Sequence, residues 1–173
     1  MSIRRVNEFA TEATGDVVAV SAETLAQKIA DARLNPRQRE MHLLHRDPGE
    51  HYQRALNTFL RGSYIRPHRH RDPPKAESVV LLHGTVGFVP FLEDGTPDQR
   101  NLVLLDRENG CLAVDWTPGV WHTFLALSPE AVVFEGKAGP YDPATDKEFA
   151  AWAPAAGSAD APTYLARLEA LFL

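Results

Sequence analysis

Cysteine is nearly missing from this sequence: Cys111 is the only one in 173 residues. One thiol closes no internal disulfide and builds no thiolate-rich metal site. Cys111 therefore reads as a small buried hydrophobe, and a reducing, cytoplasmic compartment is expected. No apolar run approaches the roughly 20 residues that a membrane-spanning helix needs. The opening Met1-Ser2-Ile3-Arg4-Arg5 is polar and carries no signal-peptide core. A large excess of one charge is also missing. The formal net charge is -5, which gives no reason to expect nucleic acid or an anionic membrane as a partner. There is no internal repeat and no low-complexity tract. What is present is ordinary for a globular chain, 44% hydrophobic and 24% charged residues, in a length that fits one domain with a real core.

The first third holds one helical pattern, from about Ser21 to Arg33. Ser21 suits the N-cap, Glu23 the first turn and Arg33 the last, while Ala22, Leu25, Ala26 and Ile29 share a face. Asn35-Pro36 stops it. From about Gln53 to Lys137 short apolar runs recur between turn signals. They are Ala55–Leu60, Tyr64–Pro67, Val79–His83, Val86–Phe91, Leu102–Leu105, Leu112–Trp116, Thr123–Leu127 and Ala131–Glu135. This texture predicts an antiparallel sandwich or barrel. Asp94-Gly95 and Asn109-Gly110 are hairpin signals, because both tolerate positive φ. A second helical period closes the chain from about Ala161 to Leu173, with Tyr164, Leu165, Leu168, Leu171 and Phe172 on one side. That face belongs either to the barrel or to a dimer partner.

The chemistry concentrates in three stretches. Residues alternate in a strand, so His68 and His70 in Arg66-Pro67-His68-Arg69-His70 project together and Arg69 points the other way. Glu77 follows the turn-like Asp72-Pro73-Pro74 and can return a carboxylate to the same space. Thr117-Pro118-Gly119-Val120-Trp121-His122 adds a third imidazole at a strand start. Three neutral imidazoles and one carboxylate hold a divalent ion, leave it one net positive charge and leave coordination positions open. Zinc, iron, manganese, nickel and copper all accept such donors.

These residues resemble a known superfamily. Gly62, His68-x-His70, Glu77 and Gly84 look like the first cupin motif, and Pro118-Gly119 with His122 looks like the second. The step from His70 to Glu77 is two residues longer than the common one, Pro118 directly precedes Gly119, and Ala126 stands where many cupins have Asn. The longer step is similar to the WbuC family of cupin-fold metalloproteins. So are Gln53-Arg54-Ala55-Leu56-Asn57, the run Ser63 to His70, and Lys75-Ala76-Glu77. Gly139-Pro140-Tyr141-Asp142-Pro143, Asp146-Lys147-Glu148-Phe149-Ala150 and Trp152-Ala153-Pro154 resemble it too. Arg39 and His45 also fall where that family has an Arg and a His. The resemblance covers about residues 30 to 157; Met41 and Ala156 depart from it, where Asn and Glu are expected.

The resemblance implies a mainly β protein, a cupin-type antiparallel barrel or jelly roll with inward-facing metal ligands. The expected layout is a helical extension over residues 1–52, a barrel over 53–157 and a C-terminal helix over 158–173. The expected cofactor is one divalent transition metal on His68, His70, Glu77 and His122. The family's name comes from a gene among bacterial surface-polysaccharide genes, which implies a sugar-related or carboxylate small molecule as ligand. An enzyme of isomerase, lyase or oxygenase type is one reading and a non-catalytic binding module is the other. Lys75, Tyr64 and Glu135 are the candidate proton carriers, and Glu135 alternates with Lys137. Arg54 and Arg66 read as surface or salt-bridged residues. His45 reads as a pocket or supporting residue, and His42, His51 and His83 as surface or core. Asp142, Asp146 and Lys147 belong to a structured loop that closes one end. A homodimer is the default assembly.

Overall fold

In a computed structural model, which describes residues 3–8, 10–108 and 110–173, the chain forms twelve strands and two helices. The first strands are β1 (Ile3–Asn7) and β2 (Ala10–Ala13), followed by helix α1 (Ala22–Leu34) and then β3 (Arg39–Leu43). The long strand β4 (Tyr52–Leu60) leads to the two-residue β5 (His68–Arg69), β6 (Glu77–His83), β7 (Val86–Phe91) and β8 (Val103–Leu105). Next come β9 (Ala113–Trp116), β10 (Trp121–Ala126), β11 (Glu130–Ala138), β12 (Glu148–Phe149) and helix α2 (Ala161–Glu169). No helix among the described residues is long and apolar enough to cross a membrane.

The strands make two sheets, as expected of a mainly β sandwich. One has seven strands in the order β1-β2-β3-β4-β11-β6-β9; the other has five, β12-β5-β10-β7-β8. All pairs are antiparallel except β2 with β3. The N-terminal stretch is therefore more than a helical extension: it adds three strands to the larger sheet. Their signal was weak because β1, Ile3-Arg4-Arg5-Val6-Asn7, is an exposed edge strand without a buried face. Tyr64–Pro67 is not a strand, and the run pairs only from His68 onward. The turn expected at Asn109 falls on a residue outside those described, although Asp106 and Cys111 bridge across it.

Alternation divides each strand between two environments. On β11, Val132 packs toward α1 with Leu56 and Ile29, while Ala131 and Val133 face the other sheet with Phe59, Val79, Leu81 and Phe124. On β10, Phe124 and Ala126 face inward, and Trp121 and Leu125 pack outward against Leu165 and Leu168 of α2. The C-terminal helix thus covers its own five-stranded sheet. Gly87 permits this fit, since a Cβ there would lie 2.5 Å from the Phe172 ring. Helix α1 begins at the expected cap: the Ser21 hydroxyl accepts from the Thr24 amide, and the Ser21 amide donates to Thr24 Oγ1. Its buried residues are Lys28, Ile29 and Ala32, with Ala22 and Ala26 exposed, so the inward stripe lies one step round from the apolar one.

Between the sheets the inward residues change character along each strand. Apolar Ala131 and Val133 give way to Glu135 and Lys137 on β11, Leu81 and Val79 to Glu77 on β6, and Ala126 and Phe124 to His122 on β10. One end of the interior is a hydrophobic core and the other is a polar chamber.

Candidate metal centre

Four side chains from three stretches meet at the polar end. Ligand atoms of His68, His70, Glu77 and His122 all lie within 4.8 Å of one another, and all four residues are buried. Register explains the convergence. His122 on β10 sits opposite His68 on β5. Glu77 opens β6, where Lys137 and Trp116 flank it on the neighbouring strands. His70 follows the short strand, and its carbonyl accepts the amides of Lys75 at 3.4 Å and of Gly119 at 3.0 Å. Those two bonds tie the loop before Glu77 and the turn before His122 to the same point.

Every imidazole is oriented by a main-chain carbonyl. Nδ1 of His68 donates to Arg66 O at 3.0 Å and Nδ1 of His122 to Val120 O at 2.9 Å, while Nδ1 of His70 donates to Asp146 O. A carbonyl only accepts, so each Nδ1 carries the proton and each Nε2 is left to the centre. Nε2 of His70 lies 3.0 Å and Nε2 of His122 lies 3.4 Å from Glu77 Oε2. None of these three buried atoms has a hydrogen-bond partner of acceptable geometry. Neighbouring donors around an ion at about 2.1 Å lie roughly 3.0–3.4 Å apart, depending on coordination number. The donor set, its spacing and its unpartnered atoms therefore fit a divalent metal ion.

Electrostatics agree with that arrangement. Burial pushes the His68 imidazole well below its ordinary range, and the Lys147 charge adds to the effect. The ring is a neutral donor. Burial alone would raise the Glu77 carboxyl, and the charge of Lys137 works against it in favour of the ionised form. Glu135 shifts upward, first through burial and then through the negative charge of Glu77, while Asn57 Nδ2 donates to its Oε2 at 2.9 Å.

The proton-carrier candidates separate. Glu135 faces the chamber. Lys75 is buried, and its ammonium donates to Pro140 O at 2.7 Å and to Asp146 Oδ1 at 3.1 Å. Tyr64 does not share the His68 face, because the segment that carries it is not a strand. Its hydroxyl donates to Pro154 O at 3.0 Å, and its ring meets Tyr164 of α2 edge-on. Arg54 pairs with Glu50, and Arg66 donates to Ala150 O at 2.6 Å. His45 bonds the Arg54 main chain and lines a cavity. Arg69 points away from the centre, as expected, into Glu148 and Glu93 and over the Trp121 ring at 4.1 Å.

Two cavities approach the centre, and neither is lined by its four ligands. One, of about 860 Å³, runs along the Thr117–Trp121 turn to Trp116 and Phe88; Trp116 packs on His122. The other, of about 700 Å³, ends on Glu135, Lys137, Asp146 and Lys147 and opens past Met41, His45 and Arg54 toward β1. Asp146 is the residue that sequence reasoning undervalued. Its main chain holds His70 while its carboxylate holds Lys75 and Lys137.

A family described as a domain of unknown function (DUF6016) matches residues 20–103. No curated protein matches the chain. Among solved structures, the chain is similar to Peruvianin-I, a cysteine peptidase from Thevetia peruviana latex. That match has 10% identity over 57% of this chain and 55% of that one, with a TM-score of 0.45, so this chain spans about half of that protein. KdgF from Halomonas sp. matches at 15% identity over 61% of this chain and 82% of that one, with a TM-score of 0.46. An RmlC-like cupin protein from Desulfovibrio desulfuricans matches at 19% identity over 58% and 81%, with a TM-score of 0.43. At these identities and scores, none of the three tells what this chain binds.

Proposed function

We propose that this chain is a cupin-fold metalloprotein of the WbuC type. It would hold one divalent transition metal on His68, His70, Glu77 and His122 and act on a small polar or sugar-related molecule. The observation that carries this reading is the meeting of two buried imidazole nitrogens and a buried carboxylate oxygen, each lacking a hydrogen-bond partner. Leaving such groups unpaired is costly, and a cation between them removes the cost. A bound ion supplies Lewis acidity toward a carbonyl or hydroxyl oxygen. The protein's part is to fix the three rings by their Nδ1 bonds and to offer Glu135, whose carboxyl is shifted upward by burial and by the Glu77 charge, as a proton carrier. Lys75 and Tyr64 are both engaged with main-chain carbonyls, so Glu135 is the proton carrier retained in this proposal.

Elemental analysis of protein purified without a His-tag tests the metal directly, with close to one equivalent per chain expected. Turnover of nucleotide sugars or keto acids that disappears in His122→Ala supports an enzyme. Tight ligand binding without turnover, across zinc, iron, manganese and nickel, supports a binding module instead. Metal far below one equivalent, with no uptake on reconstitution, removes the reading altogether.

A further inference from the structure

The chain has four lysines, and three of them are buried and tied down. The Lys28 ammonium donates to Thr11 and Asp31 beneath α1. Lys75 donates to Pro140 O and to one oxygen of Asp146, and Lys137 donates to the other. Lys147 is different. It is exposed, it has no hydrogen bond or ion pair among the described residues, and it lines the cavity of about 700 Å³. That volume lies within the range of about 300–1,000 Å³ usual for small-molecule sites.

Two neighbours on the same wall bear on the chemistry of this amine. Solvent reaches it, yet its depth in the protein lowers the Lys147 ammonium from its ordinary range. The Lys137 charge adds to this, against the opposing pull of Glu135, Glu77 and Asp146. An amine that gives up its proton more readily is a better nucleophile. Glu135 lines the same cavity and feels the Lys147 charge, while burial and the Glu77 charge shift its carboxyl upward. An unbonded amine that shares a cavity with a carboxyl inclined to keep its proton is the pairing that imine formation uses.

We propose that Lys147 forms an imine with a small aldehyde or ketone that enters this cavity, and that Glu135 is the acid for the loss of water. The Nζ lone pair adds to the carbonyl carbon, the C=O pair moves to oxygen, and a proton passes from nitrogen to that oxygen. Glu135, directly or through a water, then protonates the hydroxyl. The carbon–oxygen bond breaks, water leaves, and the nitrogen pair closes the C=N bond of a protonated imine. Loss of the iminium proton returns Glu135 to its acid form. Met41, Leu43 and Ala55 offer apolar wall to the rest of the ligand. The step needs no metal, so it goes beyond the metal reading and can fail or hold without it.

The test uses the full-length protein as purified, mixed with glycolaldehyde or with pyruvate. Sodium borohydride added at timed intervals fixes any imine as a stable amine, and peptide mass spectrometry locates it. Nα-acetyl-lysine in the same tube sets the behaviour of an ordinary amine. With at least one probe, Lys147 should form imine about ten times faster than Nα-acetyl-lysine. Whichever probe prevails separates a hydroxyaldehyde from a keto acid. Lys147→Arg should abolish the adduct, and Glu135→Gln, whose amide oxygen still accepts from Asn57, should slow its formation about tenfold or more with the thermal midpoint little changed. The proposal is overturned if Lys147 reacts no faster than Nα-acetyl-lysine with either probe, if the adduct falls on another amine of the chain, or if a folded Glu135→Gln forms it as fast as the parent.

Discussion

The molecule contains two buried polar clusters built from similar side chains, and they differ in where the atoms point. At the chamber, His68, His70, His122 and Glu77 turn their free atoms on a common centre, and Lys137 stands beside them. On the outer face of the large sheet, beneath α1, Lys28, His42 and Glu40 are equally buried. There the contacts run in a chain. The Lys28 ammonium donates to Asp31 Oδ2 at 2.6 Å and to Thr11 Oγ1 at 3.1 Å, and the Thr11 hydroxyl is then left to donate to His42 Nδ1 at 2.8 Å. Glu40 lies 3.7 Å from Arg5 and also feels the Lys28 charge and the Asn35 side chain. No third metal-ligating atom joins this group among the described residues. Identical residue types thus make a converging donor set in one place and a relay that fastens a helix in the other, where the unpartnered Glu40 Oε1 and His42 Nε2 do not join a third such atom among the described residues. Burial of histidine and carboxylate does not mark a site; convergence of unpartnered atoms does.

The comparison breaks most sharply at the chamber. Removing one ligand leaves three donors and an open edge. His122→Ala or Glu77→Gln should lower metal affinity by 100-fold or more, read by chelator competition, while the circular dichroism of the sheets is retained. A variant that holds metal as tightly as the parent would show that these donors do not form a cage. The same contrast can be read thermally. Metal at about 1,000 times its dissociation constant stabilises by roughly 4 kcal/mol, and each kcal/mol moves the midpoint of a chain of this length by about 2–4 °C. The parent should gain about 10 °C on metal addition, and His122→Ala, with about 100-fold weaker affinity at the same metal concentration, should gain about a third of that or less.

The relay beneath α1 should answer in the opposite way. Lys28 is 1% exposed, and its ammonium serves two acceptors at once. Lys28→Met strips Asp31 of a partner and leaves Thr11 and His42 without their cation, and breaking a buried polar network of this kind costs about 2–4 kcal/mol. Denaturant unfolding should show that loss with metal content unchanged. A drop in metal content alongside it would mean that the two clusters communicate.

Much of the chamber was legible in the sequence, and for a definite reason. Ligand alternation in His68-x-His70, a carboxylate after a turn and a histidine after Pro118-Gly119 are local patterns, and strand period 2 converts them into direction. The strand runs from Val86 to Phe91 and from Val79 to His83 were readable on the same basis. What was not legible depended on pairing. Lys137 stands opposite Glu77 only through the β11–β6 register, and Asp146 reaches His70 only because the loop after β11 folds back. Tyr64 misled because a strand was assumed where Ile65-Arg66-Pro67 runs irregularly. Lys28 gave no signal at all, since the Thr11–His42 pair that receives it is brought over from distant strands.

The smallest effect expected is a pH dependence that belongs to the relay alone. Burial, reinforced by the Lys28 charge, pulls the His42 imidazole down to about 4 from the ordinary value near 6.5. The folded state therefore refuses a proton that the unfolded chain accepts at mildly acid pH. A depressed value of this kind gives stability that is fully present above about 6.5 and lost as pH falls toward 4. Fully developed, the loss is on the order of 2–3 kcal/mol. Thr11 supports the sign, because its hydroxyl donates to Nδ1 and a protonated ring would turn that acceptor into a second donor. Replacing His42 with Gln removes the titration but keeps a polar partner for Thr11. The stability difference between His42→Gln and the parent, both metal-free, should narrow between pH 7 and pH 4.5, because only the parent carries the His42 loss. A gap constant over that range would place the acid sensitivity of the fold elsewhere and leave His42 as packing only.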